Sequence, residues 1–349
     1  MYRVGTFARV AILITSAGLA MASAAQAPDF PSRLTEEIAR DRSTLDSLNH
    51  TEFTKGDAAN IQTALADAEK HIQAKRPLIA LEMLSSATPG TLGLKAAAAG
   101  WGQNGKGIEV LEADWKAAGE AMERDKKKFP TRAPAGQPMF VRAVAELSMG
   151  QVNENYAAAV DYGKVAGIQF GAYYLGRSQG HLAFALYSSG LASGENRKPF
   201  ALPDLAEKIT ALDKTIVASY ARPGSTQFHP QYIAANSSIK LSRELNAAGW
   251  RTGALVVLMR AVYSFGQIET KPPAVSELPA LKAEADKIAA QIAADKRDQS
   301  IAEQYLQKVY VALEIGAGSE QAAEGQRHRA ALLLHYVLPK YFELIEGAK

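Results

Sequence analysis

Apolar residues recur in this chain every three or four positions, and nowhere every second position over a useful length. That spacing constrains the fold most. It lays an apolar stripe along one face of a helix, whereas a half-buried strand needs strict alternation. Leu205, Ile209, Leu212, Ile216 and Tyr220 form one such stripe, and Leu281, Ala285, Ile288 and Ile292 form another. Alanine, the best intrinsic helix former, is the commonest residue. The strand candidates at 254–258 and 309–313 sit inside longer helical patterns and are read as helix.

Proline and glycine clusters at 130–138, 191–203, 221–225 and 269–279 punctuate the pattern. Between them the spacing predicts helices over 31–48, 57–74, 77–86, 92–101, 107–128, 138–148, 153–167, 170–190, 204–220, 228–247, 251–267, 279–293, 300–315 and 319–346. Asp204 with Glu207 and Ser300 with Glu303 have capping-box spacing, and Asp57 is placed to cap the second helix. Pro339 should kink or divide the last one. Short connections make successive helices antiparallel neighbours. The expected fold is all-α, with antiparallel helical hairpins in a curved helical-repeat-like array or an irregular bundle. It forms a single domain over 28–349, with sub-boundaries near 129–138, 191–203 and 269–279.

The first residues read as an address. Arg3 and Arg9 supply a positive start, and an apolar run follows from Val10 to about Ala22. Small residues then offer cleavage between 24 and 27, with Ala24 favoured because the later site leaves Pro28 first. The run is shorter than the ~18 residues a spanning helix needs, so a periplasmic or secreted protein is expected, with no integral membrane segment. Without residues 1–24 the chain carries 37 Lys and Arg against 36 Asp and Glu, so most of the formal +3 charge belongs to the signal. Such balance gives no electrostatic case for nucleic acid. The chain has no cysteine, which excludes disulfides, thiolate metal sites and covalent haem. An exported protein of this kind must rest on packing or on oligomerisation.

Ala80-Leu81-x-x-Leu84-x-x-Ala87 and Ala254-Leu255-x-x-Leu258-x-x-Ala261 share one pattern, and Leu241, Leu245 and Gly249 precede the second copy. Over 238–263, and in part over 64–87, the chain resembles the tetratricopeptide repeat, a helix–turn–helix unit. Lys75 stands where the first copy would have the turn glycine, and the family's terminal proline is missing near Gly266 and Gln267. The resemblance implies stacked helical hairpins that present a binding surface to a protein or peptide.

Several motifs bear on chemistry. Gly176-Arg177-Ser178-Gln179-Gly180 matches the nucleophile elbow of α/β-hydrolases, where the serine sits on a strained strand-to-helix turn. Only His181, His229, His328 and His335 follow it, none with a recognisable acid partner, and the parallel strands that fold needs are missing. The other reading is a helix with small residues at a close contact. Ser237-Ser238-Ile239-Lys240 contains S-x-x-K without the companion motifs of penicillin-binding proteins, a commonplace helical spacing. Histidines are too sparse for a metal site, and Gly102, Gly105 and Gly107 read as a turn. No cofactor and no catalysis are expected.

Aromatic residues cluster between Tyr156 and Tyr187. Tyr162, Tyr173, Tyr174 and Arg177 are candidate binding residues, with Trp250 and Arg251 as a second contact point. The same rings would equally fill seams between alanine-rich helices. Residues 332–345 are apolar nearly all round, so that helix is either buried centrally or forms half of a homo-oligomer interface. The expected function is partner binding by an exported helical protein. A small-ligand carrier with an aromatic pocket and a serine hydrolase using Ser178 are the alternatives.

Overall fold

A computed structural model describes residues 29–101, 108–192, 198–221, 224–318, 320–346 and 348. The expected signal at 1–24 and the whole glycine turn at 102–107 lie outside them. The main helices are α1 (Phe30–Asp46), α2 (Glu52–Gln73), α3 (Pro77–Trp101), α4 (Ile108–Lys126), α5 (Met139–Val165), α6 (Ile168–Ser189) and α7 (Ala206–Ser219). They continue with α8 (His229–Ala247), α9 (Arg251–Glu269), α10 (Leu278–Ala294), α11 (Ser300–Gly316), α12 (Gln321–Leu332) and α13 (Leu338–Ile345). No strand forms among the described residues; a lone bridge joins Lys198 to Arg297.

The departures from the sequence reading have physical causes. Pro89 does not end α3. Thr88, Pro89 and Thr91 are buried, and packing on both sides outweighs one lost helical hydrogen bond. Gly150 does not divide α5, because it makes room for Leu245, whose Cδ2 would lie 2.9 Å from an added Cβ. Helix α2 starts five residues before Asp57: Thr51 caps it, and its N–H donates to the Thr54 hydroxyl at 2.9 Å. Asp204 lies one residue outside the cap of α7 but still accepts from the Ala206 N–H. Ser300 is the first residue of α11, not its cap, and its own N–H donates to Asp298. Pro339 cannot donate to the turn before it, and there the chain widens into a π turn (Leu333–Val337) before α13.

Three hairpins form the body: α2–α3, α5–α6 and α8–α9. Two of their turns are alike. After α8, Gly249 takes φ +79°, its N–H donates to the Asn246 carbonyl, and the Trp250 N–H reaches back to Leu245. After α2, Lys75 takes φ 58°, with the same bonds from Lys75 to Ile72 and from Arg76 to His71. Both are Schellman motifs, and an alanine of zero exposure, Ala80 or Ala254, follows five residues later. Between hairpins, α3 packs on α6 and α5 on α9, while α1 covers α3. The turns at 75, 167 and 249 are unevenly spaced, so the hairpins stack as a bundle-like body without one fixed period.

Buried carboxylates fasten this body. Glu146 of α5 accepts from the Thr252 hydroxyl (2.6 Å) and the Gly253 N–H (2.8 Å) at the start of α9, and it pairs with Arg142 at 2.7 Å. Asp298 accepts from the Met139 N–H and the Ser300 N–H, and so fastens the starts of α5 and α11 at once. The last helix lies inside the molecule. Leu332, Leu334, Val337, Leu338, Tyr341, Leu344 and Ile345 are all 2% exposed or less. The Tyr341 hydroxyl donates to the Gln299 side chain at 3.0 Å. Of the two roles its composition allowed, the structure shows central burial of these residues within the chain.

Candidate functional site

An open groove of about 940 Å³ lies between the end of α4, the middle of α5, and the α8–α9 hairpin. It exists because α5 crosses α9, which leaves α8 and the 126–131 segment as its two walls. Phe129, Met149, Leu241, Leu245, Trp250 and Val257 give it an apolar lining. The Phe129 and Trp250 rings meet edge to face with centroids 6.1 Å apart, and the Arg142 guanidinium lies 4.6 Å from the Phe129 ring centre. Lys126, Lys240 and Arg260 stand on the rim with Glu154 and Glu244. Lys126 is held by Glu123 and Asn153, whereas Lys240 reaches Glu244 only at 3.9 Å and is 80% exposed.

Of the six candidate binding residues read from sequence, only Trp250 lines this groove. Arg251 points elsewhere and donates to the Leu202 carbonyl at 2.9 Å, which ties the preceding loop to α9. The other four come together on α5 and α6. Tyr162 and Tyr174 stack at 4.8 Å, Tyr173 meets Tyr174 edge-on at 5.4 Å, and the Arg177 guanidinium lies 5.7 Å from the Tyr173 ring. Arg177 and Tyr173 are wedged over Gly93 of α3, where an added Cβ would lie 2.7 Å from the Arg177 Cγ. Burial raises the Tyr173 hydroxyl pKa above its usual value, against the opposing pull of Arg177. Tyr162, 44% exposed, is the open edge of the cluster. Nearby, the Trp115 indole of α4 fills the slot left by Gly163 and Gly171, and the Tyr156 hydroxyl donates to the Trp115 carbonyl.

The G-x-S-x-G segment is helix, not a strand-to-helix elbow. Gly176 and Gly180 are where α6 meets α3. A Cβ on Gly176 would lie 2.4 Å from the Leu92 carbonyl, and one on Gly180 would lie 2.6 Å from the Pro89 Cα. Ser178 is fully buried and donates to the Val152 carbonyl at 2.7 Å, with the Met122 sulfur at 3.3 Å. His181 is buried on the same helix, and neither ring nitrogen has a hydrogen-bond partner among the described residues. Desolvation and the neighbouring Arg177 push its pKa down to about 3, so it is a neutral core residue. His328 bonds to Thr270 and His335 to Glu284, so the two histidines seven residues apart serve different seams.

Sequence reasoning missed the groove as a unit. Ser237 and Lys240, the S-x-x-K pair, stand on its wall, and Leu241 was legible only as a repeat position. Phe129 and Met149 are brought beside them only by the α5–α9 crossing, and helical spacing carries no signal for that. No helix among the described residues is long and apolar enough to cross a membrane. Compared with family models, curated proteins and solved structures, the chain gives no significant match.

Proposed function

We propose that this is an exported, non-catalytic binding protein whose α4–α5–α8–α9 groove holds a peptide segment of a partner protein. One observation carries the reading: the recess between these helices is an open groove of about 940 Å³ with an apolar floor and a rim of both charges. Small-molecule sites are mostly enclosed and range from roughly 300 to 1,000 Å³. A groove at the top of that range and open to solvent suits a chain better than a compact ligand. Trp250 and Phe129 supply the apolar anchor point. Lys126, Lys240 and Arg260 line the groove together with Glu154 and Glu244, which suits a segment with an apolar residue flanked by charges of either sign. Export rests on Arg3, Arg9 and the apolar run after them.

The tetratricopeptide-like reading belongs to the same proposal. Its strongest copy is the α8–α9 hairpin that forms the groove wall, with its Gly249 turn and buried Ala254 and Ala261. The matching Lys75 turn in the α2–α3 hairpin supports a shared hairpin design.

The test is selection from a random dodecapeptide library displayed on phage. Recovered peptides should share an apolar or aromatic anchor. Their binding should fall at least about tenfold in Ser237→Trp, which fills the groove from an exposed wall position. It should persist in Ile233→Asp, an exposed position away from the groove. Failure to recover any peptide, or binding unaffected by Ser237→Trp, would overturn the reading.

A further inference from the structure

We propose that Arg260, Lys308 and Arg329 form a second site, which binds an oxyanion group, a carboxylate or a phosphate, where α3, α9, α11 and α12 meet. These three cations and Glu82 line one recess of about 180 Å³, with Gln304, Tyr263 and Tyr305 in its wall. Glu82, Lys308 and Arg329 also line an adjoining recess of about 240 Å³ on the α2 side. Both are below the roughly 300 Å³ of ordinary small-molecule pockets, so they fit a single charged group.

The charge balance is the core of the case. Glu82 is the one carboxylate lining either recess, and it is already satisfied. Lys308 donates to its two oxygens at 2.6 and 2.7 Å, and Gln304 donates at 2.5 Å. Arg260 approaches it only at 3.8 Å, beyond a good hydrogen bond. The Arg329 side chain makes no ion pair or hydrogen bond among the described residues, yet it acts electrostatically on both Glu82 and Lys308. The Arg260 side chain is 46% exposed and Arg329 is half-buried, so both surplus cations can be reached from solvent, while the Glu82–Lys308 pair beneath them is 24% and 15% exposed.

The groups around the recess do not cancel the excess. His71, which lines the adjoining recess, is pushed toward the neutral form by burial and by Arg76. Glu314 is committed to Arg76. Three cations against one carboxylate leave two positive charges unneutralised. Burial and the two arginines lower the Lys308 pKa, against the pull of Glu82, and an anion would relieve that repulsion. Two guanidinium forks beside an ammonium suit a planar carboxylate or a phosphate, which accept paired N–H donors. The site does not depend on the groove holding a peptide, although Arg260 borders both.

The test is calorimetric and thermal titration of the intact protein with inorganic phosphate and, separately, acetate, in chloride of matched ionic strength. At least one anion should bind saturably and raise Tm above the chloride control. Arg329→Gln and Arg260→Gln should each weaken that binding at least about tenfold while leaving the far-ultraviolet circular dichroism unchanged. Lys287→Gln, on an exposed position of α10, should bind as the wild type does. Binding by phosphate alone would assign a phosphate site, and binding by acetate alone a carboxylate site. No saturable binding of either anion, or equal binding in both arginine variants, would overturn the proposal.

Discussion

At the residue scale, the most consequential side chains are polar ones buried in the seams. Glu37 and Asp41 lie one turn apart on α1, each 3% exposed, and both reach the Thr88 hydroxyl of α3. Arg40 pairs with Glu37 from the surface. Burial pushes the Glu37 carboxyl up to about 7 and Asp41 up to about 6. A carboxyl with a higher pKa folded than unfolded binds more protons in the native state, so stability falls as pH rises through that window. Glu37→Gln keeps the shape and removes the titration. Wild-type stability should therefore fall by roughly 1–3 kcal/mol relative to Glu37→Gln between pH 5 and pH 8. Urea unfolding at several pH values measures it, and parallel profiles would contradict the assignment. None of this was legible in the sequence. An acidic pair at i and i+4 ordinarily lies on a solvated face, and only the position of α1 over α3 turns it inward.

At the element scale, helix ends and turns decide how the pieces join. Glu146 both caps α9 and pairs with Arg142, with side-chain exposures of 5% and 8%. Removing one member leaves the other charge buried alone. Glu146→Ala should cost about 3–5 kcal/mol, while the double variant Arg142→Met/Glu146→Leu should recover much of it. Chemical denaturation of both variants beside the wild type checks this, and a double variant no more stable than Glu146→Ala would contradict it. At the α2–α3 turn, Lys75 holds a left-handed conformation that glycine adopts without strain. Lys75→Gly should raise stability by roughly 0.5–1 kcal/mol, read as a shift in urea midpoint at unchanged slope. The equivalence of this turn with Gly249 was legible, because Ala80 and Ala254 follow at the same distance. The long α3 and α5 were not, because their internal Pro89 and Gly150 act as breakers locally and as packing devices in the fold.

At the scale of the whole molecule, helical spacing was enough for the class: an all-helical body of antiparallel hairpins. Spacing says which face of a helix is apolar, but not which other helix covers it. Gly176 and Gly180 show the difference. In the sequence they fit a catalytic elbow or a close contact, and α3 packed against them makes them a contact. The same limit applies to the candidate site. Tyr162, Tyr173, Tyr174 and Arg177 assemble as neighbours on one hairpin, within reach of local reasoning. The groove needs Phe129, Met149, Leu241 and Trp250 from four separate segments. The proposal that it is the partner-binding surface is tested most directly by hydrogen–deuterium exchange, with and without the tightest peptide recovered from the random library. Binding in the groove predicts slowed exchange over 149–154 and 237–250, with 162–177 unchanged. Protection confined to 162–177, or no protection at the groove under saturating peptide, would contradict it.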